Sequence, residues 1–122
     1  METEKFEKLV ARAVEGLPDE FRERLDNVDV IVADEPTFRQ LSKRERQRGH
    51  TLLGLYEGIP LTERNQGYGN VVPDMITIFQ RPLEAMCKTD DQLVQEIRHV
   101  VLHEIAHHFG ISDERLRELG RY

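Results

Sequence analysis

The residues of this 122-residue chain with the clearest chemical potential lie near its C-terminal end, in the segment His103-Glu104-Ile105-Ala106-His107. Histidines four positions apart project from one face of an α-helix, where their ring nitrogens can bind a single metal ion. A glutamate directly after the first histidine can take a proton from metal-bound water. The pattern therefore predicts a catalytic zinc site, with His103 and His107 as metal ligands and Glu104 as general base.

Asp113 is the expected third ligand of this zinc. Gly110 breaks the helix after the motif, so that the residues following it can fold back over the histidine-bearing face. Two neutral histidines and one carboxylate, with one position left for water, are typical of catalytic zinc, whereas structural sites close all four positions, often with cysteines. The chain has a single cysteine, Cys87. Glu114 is the competing choice for the third ligand.

The other histidines fit this site less well. His99 forms a second i, i+4 pair with His103, but Val100 follows it where the base would have to stand. His108 points away from the second motif histidine, so a packing or supporting role is expected for it. His50 is isolated in the sequence and is expected to be structural or to face solvent.

The motif is predicted to lie on one long helix, from Asp90 to about Phe109. Thr89 and Gln92 form a capping box at its start, and Gly110 supplies its end. Apolar residues recur at helical spacing between them, at Leu93, Val94, Ile97, Val100, Val101, Ile105 and Phe109. Projection of this helix places Glu104 within the apolar arc. A carboxylate in such a position needs a partner, and metal-bound water would be one.

The rest of the chain predicts a single α+β domain over residues 1–122. Strands are expected at Val28–Ala33, Leu52–Tyr56 and Met75–Phe79, and helices at about 6–17, after Pro18, and from Pro82. The segment 36–48 is ambiguous and is expected to be partly helical. The strand Met75–Phe79 is a candidate substrate edge, to which an extended peptide could add by backbone pairing.

Composition and charge restrict the partners and the location. A formal net charge of −6 argues against nonspecific binding to nucleic acid. One cysteine, no apolar leader and no membrane-spanning stretch predict a cytoplasmic protein that binds no membrane. The basic segment Lys43–Arg48 is expected to be a solvated surface, the alternative being a docking patch for an acidic partner. The glycine-containing segment Pro60–Pro73 is expected to be a connector; alternatively it is a mobile rim of the site, with Tyr68 as oxyanion donor.

Three segments of the chain resemble the short bacterial zincin-like metallopeptidases, also called minimal zincins. They are Gly54–Leu61, Pro73–Phe79 and Val101–Ile111, the last containing most of the motif His-Glu-x-x-His-x-x-Gly-x-x-Asp, and the likeness extends from about Val28 to the end. The resemblance implies a small mixed β-sheet packed against helices, one of which carries the metal site. It also implies zinc on His103, His107 and Asp113.

The function expected from the motif and from this resemblance is hydrolysis of a peptide or related amide bond in a peptide or protein substrate. Only nine residues follow Asp113, so there is no room for the methionine turn or C-terminal domain of larger zincins. The site should therefore be open and shallow, and a partner protein or a second copy could complete the cleft. One alternative is a noncatalytic zinc-binding interaction domain. Another is a hydrolase of RNA, which the glutamate after the first motif histidine and the acidic net charge disfavour.

Overall fold

The computed structural model describes residues 1–41, 52–58 and 73–118, with only the backbone of Asp113. In chain order the elements are α1 (Thr3–Glu15), α2 (Asp19–Glu23), β1 (Val28–Ala33), β2 (Gly54–Glu57), β3 (Asp74–Phe79), α3 (Gln80–Met86), α4 (Asp90–His108) and α5 (Asp113–Glu118). The α+β class expected from the sequence is confirmed. No helix within these ranges combines the length and apolar character needed to cross a bilayer.

The sheet formed by the described strands has the order β1-β3-β2. Strand β1 pairs with β3 in parallel, from Val28 opposite Asp74 to Ala33 opposite Phe79. Strand β2 pairs antiparallel with the other side of β3. The prediction that Met75–Phe79 forms a substrate edge is therefore wrong, because this strand is central and is paired along both sides. The edge next to the motif helix is β2, which packs against α4.

Most predicted elements lie within two residues of their expected bounds. The strand at Val28–Ala33 is confirmed, and α1 ends at Gly16. Helix α3 begins two residues before Pro82, so this proline lies in the first turn. Backbone amides of the first turn have no intrahelical acceptor, and the missing N–H of proline therefore removes no helical hydrogen bond. Of the ambiguous segment 36–48, the described part turns at Thr37, whose carbonyl accepts from the amides of residues 40 and 41. The remainder lies outside the described residues.

The core lies between the sheet and two helices, α1 and α4. Ile76 and Ile78 of β3 are fully buried and face the apolar side of α4. The N-terminal helices and the link between them contribute a large share of the buried apolar side chains, namely Phe6, Leu9, Val10, Ala13, Leu17 and Phe21. Burial of apolar side chains stabilises each by about 1.5–3 kcal/mol relative to exposure. The N-terminal segment is therefore an integral part of the core.

Arg98 of α4 attaches the motif helix to the end of α1. Its Nε donates to the carbonyl of Ala13 at 3.1 Å, and its guanidinium lies against Gly16, where any Cβ would overlap it. Carbonyls in the last turn of a helix have no intrahelical partner, and a cation there also interacts favourably with the helix dipole. The absence of a side chain at Gly16 thus allows α4 to cap α1.

Candidate metal and catalytic site

Helix α4 holds the motif between two defined ends. The predicted capping box is confirmed: the amide of Gln92 donates to Oγ1 of Thr89 at 3.1 Å, and the Gln92 side chain accepts in return from the Thr89 amide. The helix ends at His108, and Gly110 follows in the left-handed conformation with φ of 72°. The amide of Ile111 then donates to the carbonyl of Ala106 at 2.7 Å, which turns the chain back.

His103 and His107 lie on one face of α4, as the motif predicts. Their ring centroids are 6.0 Å apart, and the ring planes are nearly perpendicular, at 83°. His103 is half-buried and His107 is exposed. Imidazole nitrogens are preferred ligands of zinc, so this pair fits the chemistry of a zinc site. Both rings are accessible to an ion approaching from solvent.

Glu104 is half-buried and contacts the edge strand. Its Oε1 accepts a hydrogen bond of 2.9 Å from the backbone amide of Tyr56. The carbonyl of Leu53, the residue before β2, accepts from the amide of Phe79. In an antiparallel pair every second residue hydrogen-bonds to the partner strand, so the amide of Tyr56, three residues after Leu53, points away from β3. A carboxylate among apolar groups needs a hydrogen-bond partner. For Glu104 one such partner is the Tyr56 amide, which points outward from β2.

The side chain of Tyr56 is held by two polar residues that the sequence did not identify as a pair. Its hydroxyl donates to Oδ2 of Asp74 at 2.7 Å, and Asp74 is only 8% exposed. The ring of His108 stacks on the Tyr56 ring, with centroids 3.9 Å apart, and its Nε2 lies 3.9 Å from the same Asp74 oxygen. The expected packing role of His108 therefore agrees with its position. Donation to an oxyanion by Tyr56 would require its hydroxyl to leave Asp74.

His99 is closer to the motif than the sequence indicated. Its Nε2 lies 2.9 Å from Nε2 of His103, so that one ring donates and the other accepts. Both rings line an open cavity of about 280 Å³ next to Glu104, together with Leu52, Leu53, Gly54, Glu96 and Val100. The cavity runs between β2 and α4. It brings the candidate base and one candidate ligand to the same concave surface.

The third ligand depends on Asp113, the first residue of α5. Ser112 precedes it and caps this helix by accepting from the amide of Arg115 at 3.1 Å. Among the side chains that the structure describes, which exclude that of Asp113, no three histidine, cysteine or acidic groups are arranged to hold a metal. Ligation by Asp113 therefore stays a prediction. Glu114, the competing ligand, is exposed.

Four residues or segments considered from the sequence lie wholly or almost wholly outside the described ranges. They are His50, the basic segment Lys43–Arg48, the connector Pro60–Pro73, of which only Pro73 is described, and the candidate oxyanion donor Tyr68. Their predicted roles stay predictions.

Comparison with known proteins places this geometry in a family. A solved structure of a conserved hypothetical protein from T. thermophilus is similar in fold, with a TM-score of 0.54 and 23% sequence identity over 89% of this chain and 94% of that one. No curated protein sequence matches the chain. The family model for zincin-like metallopeptidases matches residues 25–121, which include β1 to β3, Glu104 and both motif histidines. The chain belongs to the zincin-like metallopeptidase family.

Proposed function

We propose that this protein is a zinc-dependent peptidase whose general base is Glu104. The observation that carries the proposal is the hydrogen bond from the amide of Tyr56 to Glu104, which sets the carboxylate beside His103 in the cavity between α4 and β2. The same carboxylate stands in the His-Glu-x-x-His motif of a chain in the zincin-like metallopeptidase family. Position, motif and family thus support one chemistry.

The residues suited to hold the zinc are His103, His107 and Asp113. Zinc bound there would polarise a carbonyl group and make a water molecule more acidic. Glu104 would accept the proton of the attacking water on a carboxylate oxygen and then transfer it to the leaving amine. The partial burial of this carboxylate excludes some of the competing solvent from the proton-transfer path. His99 lies within hydrogen-bond distance of Nε2 of His103, and this contact would have to open for that nitrogen to bind zinc.

The outer side of β2 is the proposed binding edge for the substrate backbone. Peptides add to exposed strand edges through main-chain hydrogen bonds. The Tyr56 amide is one of the outward donors of β2, and Glu104 occupies it. A substrate carbonyl that accepts from this amide would displace the carboxylate and leave it available for the water. Substrate binding and activation of the base would then be linked through a single N–H group.

The test is incubation of the zinc-loaded protein with a diverse peptide mixture, with products identified by mass spectrometry. Zinc-loaded Glu104→Gln is the control, because the amide oxygen of the substituted side chain can still accept from Tyr56 and the site keeps its shape. Cleavage by the wild type alone is expected. Equal cleavage by both proteins at matched zinc content would remove Glu104 from the mechanism.

A noncatalytic zinc-binding domain is the second candidate. The hydrogen bond between Glu104 and Tyr56 favours it to the extent that the glutamate also has a structural role. Absence of cleavage by either protein, with zinc bound at one per chain, would support this candidate and contradict the peptidase.

A further inference from the structure

Among the described strands, β1 forms the edge of the sheet opposite to β2. The carbonyl of Asn27 accepts from the amide of Asp74 at 3.1 Å, and the parallel ladder continues from there with alternate residues of β1. The backbone groups of the intervening residues, Val30 and Val32, therefore point outward. No other described strand covers them. An open strand edge of this kind is a template for another extended chain.

A groove runs along this open edge, beneath the position that an added strand would take. Its volume is about 400 Å³. The floor is aliphatic and consists of Val10, Ala11 and Val14 of α1 and Val30 and Val32 of β1. Side chains of an added strand point alternately to the two faces of a sheet, so every second one would enter this groove. The open backbone and the apolar floor thus match the same kind of ligand.

The rim of the groove is acidic. Glu7 and Glu15 of α1 line it, and neither forms an ion pair within the described residues. The cations Lys5 and Arg12 lie on the other side of α1, where they pair with acidic residues of α4. Lys8 does not line the groove. The charged side chains of α1 that line the groove are therefore both carboxylates.

We propose that the groove between α1 and β1 binds an extended polypeptide segment in which, counting every second residue, aliphatic side chains are flanked by lysine or arginine, so that the aliphatic and the cationic side chains all point to the groove side of the sheet. The segment would add to β1 by backbone pairing, insert its aliphatic side chains over the valines, and place its cations near Glu7 and Glu15. A second copy of this chain fits less well, because pairing two β1 edges would bring two acidic rims together in a protein of net charge −6. The site is independent of the motif, since β1 and β2 are opposite edges of the sheet.

The test is an NMR titration of the ¹⁵N-labelled protein with the peptide acetyl-Lys-Thr-Val-Thr-Val-Thr-Lys-amide, in which both lysines and both valines lie on one face of an extended strand. Shifts of the backbone amides of Val30 and Val32 are expected to saturate. The peptide with glutamate in place of each lysine should bind at least about tenfold more weakly, because of repulsion at the rim. A lysine peptide with N-methylated valines, which removes main-chain donors, should also lose affinity.

Two double variants of equal net charge distinguish local recognition from general attraction. Glu7→Lys with Glu15→Lys reverses the rim and should weaken binding of the lysine peptide by at least about tenfold. Glu20→Lys with Glu23→Lys changes exposed positions of α2 that do not line the groove, and should leave the affinity within about twofold. Thermal unfolding of all variants verifies that each is folded.

Three results would overturn the proposal. The first is the absence of shifts in β1 at millimolar peptide, and the second is equal weakening by both double variants. The third is concentration-dependent sedimentation without peptide, accompanied by shifts at Val30 and Val32, because a second copy would then be the occupant.

Discussion

The backbone amide of Tyr56 donates a hydrogen bond of 2.9 Å to Oε1 of Glu104 and so joins the edge strand to the motif helix across 48 residues of sequence. The tyrosine side chain is fixed in turn by the buried carboxylate of Asp74. The position of the candidate base, Glu104, therefore depends on β2, which is not part of the motif. A short strand and one aspartate extend the functional unit beyond the five residues of the motif.

Substitution of Glu104 should separate its structural role from its catalytic one. Glu104→Gln keeps an acceptor for the Tyr56 amide, whereas Glu104→Ala removes it. A part-buried donor without its partner costs about 1 kcal/mol or more. We expect the Ala variant to be less stable than the Gln variant by about 1 kcal/mol in urea unfolding of the metal-free proteins. Identical midpoints and slopes for the two variants would show that the hydrogen bond contributes nothing.

Removal of the Tyr56 hydroxyl should destabilise the protein through Asp74. Tyr56→Phe retains the ring stacked on His108 but takes a donor from a carboxylate that is 8% exposed. Hydrogen bonds to charged groups contribute about 1.5–3 kcal/mol, and other contacts of Asp74 will lessen the loss, so we expect a decrease of about 1–2 kcal/mol. Asp74→Asn combined with Tyr56→Phe should restore part of this stability. Urea unfolding measures both, and an unchanged Tyr56→Phe variant would contradict the prediction.

The identity of the third ligand can be decided by zinc affinity. Loss of a group that merely supports a ligand weakens metal binding about 10–100-fold, so loss of a ligand should cost at least about tenfold. We expect Asp113→Ala to show this loss and Glu114→Ala to bind zinc as the wild type does. Competition with a chromophoric chelator at fixed pH gives the affinities. The opposite order would assign the ligand to Glu114.

Gly54 allows β2 to approach the motif helix. A Cβ at this position would overlap Cγ1 of Val100 and lie 3.3 Å from the carbonyl oxygen of Thr77. Forcing extra atoms into a packed contact costs about 1–3 kcal/mol, which we expect for Gly54→Ala. Val100→Ala removes the overlapping methyl, so the double variant should be more stable than the sum of the two single changes indicates. Strict additivity in thermal or urea unfolding would refute the contact.

Cys87 should react slowly with alkylating reagents. Burial raises the pKa of its thiol, and the negative charge of Glu96 raises it further. At a pH near the ordinary cysteine value the reactive thiolate is therefore scarcer than in a free cysteine, and the rate should keep rising at higher pH. Glu96→Gln should increase the rate of reaction with iodoacetamide under mildly alkaline conditions, though modestly, because burial is the larger cause. A wild-type rate equal to that of a short cysteine peptide would contradict this.

Local sequence signals predicted the elements well where one helix or strand determines the outcome. The capping box of Thr89 and Gln92, the stop at Gly110 and the β-branched run Val28–Ala33 all act within a few residues, and all three are confirmed. Projection of the helix also indicated that Glu104 would need a partner. The partner itself could not be predicted, because it belongs to another element.

Relations between distant segments account for what could not be predicted from the sequence. Strand order depends on nonlocal pairing, and the central position of β3 reversed the expected role of Met75–Phe79. The cluster of Tyr56, Asp74 and His108 combines residues from β2, β3 and α4. One signal could have suggested it: Asp74 is an acidic residue at the start of an apolar strand, where an unpaired carboxylate would be costly.

The stretch recognised by family comparison, 25–121, is shorter than the unit that packs together. Phe6, Leu9 and Ala13 come before it, yet they belong to the same core as Ile97 and Val101 on the buried side of the motif helix. Deletion of residues 1–24 would retain the candidate metal ligands but would expose the buried apolar side of the motif helix to solvent. The family match and the folded unit therefore have different boundaries in this protein, and a minimal folded fragment should include α1 rather than begin at residue 25.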